Sequence, residues 1–161
     1  TASADASKAV ADAVTSLGVE NFVPRPLAAV QIGSNVRIGK NLRLEGPVTI
    51  SDGAILRDDV TLGAECVVAE FSIVGPNVQL GCRCHVEASA ILRDGAAIGP
   101  DCHVSERALL RGPLQAGARC RFEEGCVIGA HSSHLNVARN GSVIIGNDCT
   151  FETHCIVLAP R

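Results

Sequence analysis

The chain has 161 residues and a net charge of −3, enough length for one domain with its own hydrophobic core. It has no run of basic residues, which excludes the electrostatic pattern of a nucleic-acid-binding protein. No apolar stretch approaches the roughly 18 residues of a membrane-spanning helix, so no transmembrane segment is expected. Aromatic residues make up only 2%, so Val, Ile, Leu, Ala and Cys must fill the interior.

The amino-terminal segment, residues 1–26, is predicted to form a short amphipathic helix followed by a connector. Val10, Val14 and Leu17 recur at helical spacing, and Gly18 follows as a natural stop. A chain that begins with the sequence TASADASKAV fits an organellar protein after removal of its transit peptide, and equally an arbitrary boundary.

Residues 27–161 carry an internal repeat of six. Every sixth residue from Ile32 to Ile128 is apolar, and the residue two positions earlier is small or branched. Such i−2 and i positions share one face of a short extended strand, and a corner follows each strand. Three strands then complete one coil. The repeat therefore predicts an all-β fold: a left-handed parallel β-helix, a three-sided prism of about seven coils.

One segment, residues 131–142, breaks the six-residue phase before it resumes at Ile145. It is predicted to leave the prism as a protruding loop. Two of its residues, His131 and His134, are candidate general bases if they reach the amine or hydroxyl of a substrate. A packing loop between subunits is the alternative.

Of the eight cysteines, all but Cys82 occupy the inward slot and are predicted to be core residues. Cys66, Cys84, Cys102 and Cys120 are spaced 18 residues apart, which places them on one side of successive coils. Free cysteine behaves as a small buried hydrophobe, and a reducing compartment fits this usage. The rival is a metal site at Cys82 and Cys84, where one ligand would point inward.

Outward positions with the same 18-residue spacing form an arginine row: Arg57, Arg93 and Arg111, with Gly75 in the remaining slot. Such a row can grip a phosphate or carboxylate group. In the alternative, the arginines pair with neighbouring carboxylates on a solvated corner. These carboxylates belong to Asp58, Asp59 and Asp94.

A second outward row holds His85, His103 and Arg121. The histidines are interpreted as an exposed or interface pair, because a zinc site would need a third converging ligand. No metal site is predicted from the sequence.

With the repeats laid out, the chain resembles the hexapeptide-repeat superfamily of left-handed β-helices. It is most similar to the C-terminal acetyltransferase domain of the bifunctional N-acetylglucosamine-1-phosphate uridyltransferase/glucosamine-1-phosphate acetyltransferase. The resemblance rests on residues 30–56, 90–104 and 128–160, the last containing IGAHSSHLNVARNGSVIIGND.

The resemblance implies roles for three residues. Arg93 would be the phosphosugar-binding arginine, Arg111 would take the place of a lysine of the sugar site, and Asn136 would match a loop asparagine. The family's catalytic histidine and sugar-binding tyrosine have no counterpart in GPLQAGARCRFEEGCV, which follows Arg111. The general base of the family is therefore missing from its usual place.

A weaker resemblance links AILRDDV, residues 54–60, to γ-class carbonic anhydrase-like subunits. The histidines that would bind the family's zinc do not follow at the required spacing. A catalytic zinc needs three protein ligands and an open position. A β-helix that lacks the zinc-binding histidines is expected of an assembly subunit derived from such a fold.

Two functions follow from these expectations. The first is a non-catalytic β-helix scaffold, a subunit of a homotrimer, heterotrimer or larger complex, with the amino-terminal helix and the 131–142 loop as attachment points and no cofactor. The alternative is a CoA-dependent acyltransferase that acts on a phosphosugar or amino-sugar. Acetyl-CoA would then be the cofactor, Arg93 and Arg111 would hold the phosphate, and His131 or His134 would deprotonate the acceptor.

Overall fold

The computed structural model of the protein describes residues 30–93, 95–129 and 142–158. These residues form 20 strands of two or three residues each, and no helix. Consecutive strands lie in different sheets, and each strand pairs in parallel with the strand three places further along the chain. Short strands result because a corner interrupts the chain after every second or third extended residue.

The strands form three sheets, two of seven strands and one of six. The first sheet contains β1 (Gln31–Ile32), β4 (Val48–Ile50), β7 (Cys66–Val68), β10 (His85–Val86), β13 (His103–Val104), β16 (Arg121–Phe122) and β19 (Thr150–Phe151). The second contains β2 (Arg37–Ile38), β5 (Ile55–Leu56), β8 (Ile73–Val74), β11 (Ile91–Arg93), β14 (Leu109–Arg111), β17 (Val127–Gly129) and β20 (Ile156–Leu158). The third contains β3 (Arg43–Leu44), β6 (Thr61–Leu62), β9 (Gln79–Leu80), β12 (Ala97–Ile98), β15 (Leu114–Ala116) and β18 (Val143–Ile145).

The register of the sheets follows the repeat. Ile32 lies opposite Ile50 in the first sheet, and Leu44 lies opposite Leu62 in the third. Beyond the break in phase, Ala116 pairs with Ile145, so the prism continues on the far side of the 131–142 segment. The predicted three-sided parallel β-helix is therefore confirmed. The described strands make six complete coils and two strands of a further one, slightly fewer than expected.

The interior is a single column of aliphatic and cysteine side chains. Leu92, Leu110 and Ile128 are completely buried on successive coils of the second sheet. Towards the carboxyl end, Phe122 stacks on Phe151 with ring centroids 5.3 Å apart. The interior of the prism is narrow, and the inward side chains of successive coils stack closely enough to exclude water. The inward positions therefore accept only apolar or small side chains.

Seven of the eight cysteines lie in this column or pack against it as free thiols, as predicted, and Cys82 does not. The Cys66 thiol donates a hydrogen bond to the Gly81 carbonyl at 3.0 Å, and the Cys84 thiol repeats the contact one coil later. Burial raises the pKa of the Cys126 thiol to about 12. Of the CxC pair, Cys84 is buried while Cys82 is partly exposed. Cys84 is therefore a core residue and Cys82 is not, so the pair does not offer two accessible thiols to a metal ion.

Two features shape the corners. At Gly81, an added Cβ would lie only 2.6 Å from the backbone nitrogen of Pro100, so the next coil passes too close for any side chain. Two residues after that slot, the chain turns with a left-handed backbone, as at Asn35 (φ 56°) and Arg83 (φ 57°). Asparagine tolerates this conformation well, whereas arginine adopts it only where the coil imposes it.

One corner carries alternating charges on successive coils, at Arg83, Asp101, Arg119 and Asp148. Arg83 donates two hydrogen bonds to the Asp101 carboxylate, at 2.6 and 2.9 Å, and Arg119 donates two to Asp148 at the same distances. The arginine hydrogen bonds lower the pKa of both carboxylic acids. We call these four residues the charged corner.

Several predicted features lie outside the described residues. They are the amino-terminal helix and connector at 1–26, residues 131–141 of the loop with His131, His134 and Asn136, and the carboxylate of Asp94. Within the described residues, nothing has the length and apolar character of a membrane-crossing helix.

Candidate functional site

The outward face of the second sheet is aliphatic beyond its first strand, where the slot is occupied by Arg37. Its central outward slot is occupied by Ile55, Ile73, Ile91, Leu109, Val127 and Ile156, which lie in register on successive strands. The first five are partly exposed, and Ile156 is 68% exposed. Because nothing in the prism requires an apolar side chain on the outside, this stripe, which we call the apolar face, is a candidate contact surface.

The corresponding slots of the other two sheets are mostly polar. In the first sheet they hold Gln31, Thr49, Val67, His85, His103, Arg121 and Thr150. In the third sheet they hold Arg43, Thr61, Gln79, Ala97, Gln115 and Ile144. The same backbone therefore carries one aliphatic and two mixed surfaces, so the apolar face is not a by-product of the repeat.

An arginine row borders the apolar face. Arg93 pairs in register with Arg111 on the next strand. On the preceding coils, the Arg57 amide donates to the Val74 carbonyl at 2.8 Å and the Gly75 amide to the Leu92 carbonyl at 2.7 Å. These ladder bonds stack Arg57, Gly75, Arg93 and Arg111 one above the other. The predicted row is confirmed.

The row opens into a groove of about 680 Å³. Arg37, Arg57 and Arg93 contribute their side chains to its wall, and Ile55 and Ile73 of the apolar face line it as well. Gly75 also lines the groove, and its lack of a side chain leaves room between Arg57 and Arg93 on the coils on either side. Three guanidinium groups around an apolar lining form an environment that suits a phosphate or carboxylate group.

In the alternative interpretation, the arginines of the row pair with neighbouring aspartates. This is wrong for the two of these carboxylates that the structure describes. Asp58 accepts a hydrogen bond from the Lys40 amide at 2.8 Å, and Asp59 accepts one from the Asn41 side-chain amide at 2.9 Å. Both acids therefore fasten one coil to the preceding coil. Among the described residues, neither Arg57 nor Arg93 has a carboxylate within ion-pair distance.

Arg111 has a different environment from the rest of the row. It does not line the groove, and it is partly buried against Gly129, where an added Cβ would collide with the arginine itself. Its Nε atom is buried and finds no hydrogen-bond partner among the described residues. The sequence correctly placed Arg111 one coil from Arg93, but it did not indicate that only Arg93 of the two lines the groove.

The histidine row is also formed, and it contains a neighbour that the sequence analysis missed. His85 and His103 pair in register with ring centroids 6.0 Å apart. The Glu87 carboxylate lies 3.5 Å from His103 Nε2. Glu87 follows His85 by two positions, directly after the end of β10, so both side chains point to the same side of the sheet. Period-two alternation was the signal that could have identified it.

These features define a three-sided, left-handed β-helix of hexapeptide repeats with one apolar face and an arginine-lined groove beside it. Residues 27–114 match the family model described as the GMPPB C-terminal domain. The match covers more than half of the chain, which therefore belongs to this family. It includes every residue of the groove, and both His85 and His103, but not the segment with His131, His134 and Asn136.

Among solved structures, the chain is similar to a mutant of perosamine N-acetyltransferase from Caulobacter crescentus, in complex with CoA and GDP-perosamine. The identity is 18% and the TM-score 0.40, over 81% of this chain and 53% of that protein. The chain thus spans about half the length of this acetyltransferase. No curated protein matches the chain. The assignment to the hexapeptide-repeat superfamily is confirmed by the family match and the three-sheet architecture.

Proposed function

We propose that this chain is a non-catalytic β-helix assembly module, which joins a homotrimer, heterotrimer or larger complex through the apolar face. The observation that carries the proposal is the run of aliphatic outward residues on six successive strands of the second sheet, whereas the same slots of the other two sheets are mostly polar. Removing such surface from water contributes about 25 cal/mol per Å² to association. A flat stripe that continues from coil to coil suits the side of another prism.

The arginines beside the stripe fit the same role. Interfaces between proteins are enriched in arginine, and their centres are depleted of other charged residues. Ile55 and Ile73 place the apolar centre directly beside Arg57 and Arg93, which would form its polar rim. A partner carboxylate at this rim would supply the counter-charge that Asp58 and Asp59 do not.

The composition of the groove supports a role without chemistry. Among the residues that the structure describes, its lining contains no histidine, cysteine or serine, and its single acid, Asp58, is held by the Lys40 amide. General acid–base catalysis requires a group within hydrogen-bond reach of the reacting proton. The groove is therefore proposed to bind rather than to transform what enters it.

The test is the mass of the assembly, measured by light scattering after size-exclusion chromatography. Changing Ile73→Lys together with Ile91→Lys would place two charges on the apolar face, and we expect the complex to dissociate. The matched control is Gln79→Lys with Ala97→Lys, at the same outward slots of the third sheet, which should leave the mass unchanged. Equal masses for both variants, or a monomeric parent protein without any partner, would reject the proposal.

A CoA-dependent acyltransferase is the second candidate, and the arginine-lined groove is the observation that favours it. In this case acetyl-CoA is the acetyl donor and a phosphosugar or amino-sugar the acceptor: Arg93 in the groove and Arg111 one coil further on hold the substrate phosphate, Asn136 contacts the sugar, and His131 or His134 deprotonates the acceptor amine or hydroxyl. Acetyl-CoA consumption would be measured with a panel of phosphosugars and amino-sugars. Turnover that disappears in His131→Ala with His134→Ala would replace the first proposal by this one.

A further inference from the structure

The first sheet carries three side chains that together have the composition of a metal site. His85, Glu87 and His103 each offer one ligand atom, and these atoms all lie within 4.8 Å of one another. Two imidazoles and one carboxylate form a donor set used by zinc in catalytic sites, where water or another ligand completes the coordination. This cluster lies on a different sheet from the apolar face and the arginine row.

The strand register holds the cluster in place. His85 and His103 lie on adjacent parallel strands, whose spacing is about 4.8 Å, and Glu87 leaves the same side of the sheet two positions after His85. The Glu87 amide donates to the Val104 carbonyl at 2.8 Å, which fixes the backbone beside His103. Backbone hydrogen bonds therefore align the three ligands, two of them on strands and Glu87 directly after the end of β10.

The neighbouring charges do not occupy or oppose the cluster. Arg121, the next residue along the row, donates to Glu123 at 3.1 Å rather than to Glu87. The only ion-pair partner of Glu87 among the described residues is His103. The Glu87 carboxylate thus stays available to a cation, and Glu123 offsets the positive charge of Arg121.

We propose that His85, Glu87 and His103 bind one divalent first-row transition metal ion of the zinc type, on the outer face of the first sheet. Tetrahedral zinc places its nitrogen and oxygen ligands about 3.4 Å apart, so ligand atoms that lie within 4.8 Å of one another must approach by at most about 1.4 Å. Their side chains are exposed or partly exposed, and rotations about their own bonds supply this movement. Calcium and magnesium are not expected, because they prefer sites built from oxygen alone.

Titration calorimetry with zinc chloride on the metal-free 161-residue chain tests the proposal. We expect one ion per chain, and binding at least about tenfold weaker in each of His85→Ala, Glu87→Gln and His103→Ala. The matched control is His154→Asn, which removes an exposed histidine from another coil and should change nothing. Circular dichroism would establish that each variant keeps the β-helix.

The visible spectrum of bound cobalt distinguishes binding at this cluster from binding at the cysteines, and the histidine variants distinguish it from binding at the other histidines. A cobalt complex with these ligands shows visible d–d bands without the charge-transfer band of a thiolate ligand. A thiolate band, zinc binding that survives in all three variants, or binding that is lost only in His131→Ala with His134→Ala would overturn the proposal. None of these outcomes depends on whether the chain is an assembly module or an enzyme.

Discussion

The second and third sheets share one interior but present different surfaces. Leu92 beneath the second sheet is completely buried, and Leu80 beneath the third is 3% exposed. Outside, their strand neighbours are Ile91 and Gln79, the first partly buried and aliphatic, the second exposed and polar. The inward slot is dictated by the prism, whereas the outward slot is free. The type of residue at the outward position therefore indicates whether that face of the protein contacts solvent or a partner.

The arginines show the same contrast. In the charged corner, Arg83 and Arg119 each donate two hydrogen bonds to an aspartate of the next coil. Beside the apolar face, Arg57 and Arg93 line a groove and have no ion-pair partner among the described residues. One set of arginines fastens the coils together, and the other is available to a ligand or a partner.

The largest expected effect comes from the interior that the two sheets share. Leu92→Ala and Leu80→Ala should each lower the free energy of unfolding by about 2–5 kcal/mol, because a cavity opens inside a packed column. Urea denaturation measures the change. If Leu80→Ala were silent while Leu92→Ala unfolded the protein, the interiors would not be equivalent.

A smaller effect is expected when the apolar face is copied onto the third sheet. Gln79→Ile with Ala97→Ile creates an aliphatic stripe there, and each isoleucine gains up to about 1.5–3 kcal/mol if a neighbouring molecule buries it. Light scattering should then detect a larger assembly than that of the parent protein. The same substitutions to serine provide the control, which should keep the parent mass.

Much of this architecture follows from the sequence because the inward slot repeats every six residues from Ile32 to Ile128 and resumes at Ile145. Ile32, Ile50 and their successors predicted three sheets, the coil register and the position of the cysteines. The stacking of Arg93 on Arg111 followed from the same register. All of these depend only on periodicity.

The site was less predictable because outward contacts depend on side-chain geometry. Asp58 and Asp59 are adjacent to Arg57 in sequence, yet both bind the preceding coil through Lys40 and Asn41. Glu87 was missed because it lies beside His103 across the sheet, at a separation in sequence that is not a multiple of six or eighteen. The aliphatic face was visible in the sequence only when the outward slot of each sheet was collected separately.

A modest effect is expected in the charged corner. Arg119→Gln removes the two hydrogen bonds to Asp148, and we expect a small decrease in melting temperature, since exposed ion pairs contribute little. The decrease should shrink as salt is added, because screening already weakens the pair. Binding of inorganic pyrophosphate, used as an anionic probe of the groove, should remain at the parent value.

The smallest effect on stability, and the clearest separation of the two arginine sets, is expected for Arg93→Gln. Arg93 lies directly opposite Arg111, and like charges in register on adjacent strands oppose folding, so the melting temperature should stay constant or rise slightly. Pyrophosphate binding should nevertheless weaken at least about tenfold, because a charge-assisted contact is lost. A fall in melting temperature as large as that of Arg119→Gln, with unchanged pyrophosphate binding, would mean that Arg93 fastens coils like the charged corner. In that case the groove would not be a ligand-binding site, and the proposed assembly function would depend on the apolar face alone.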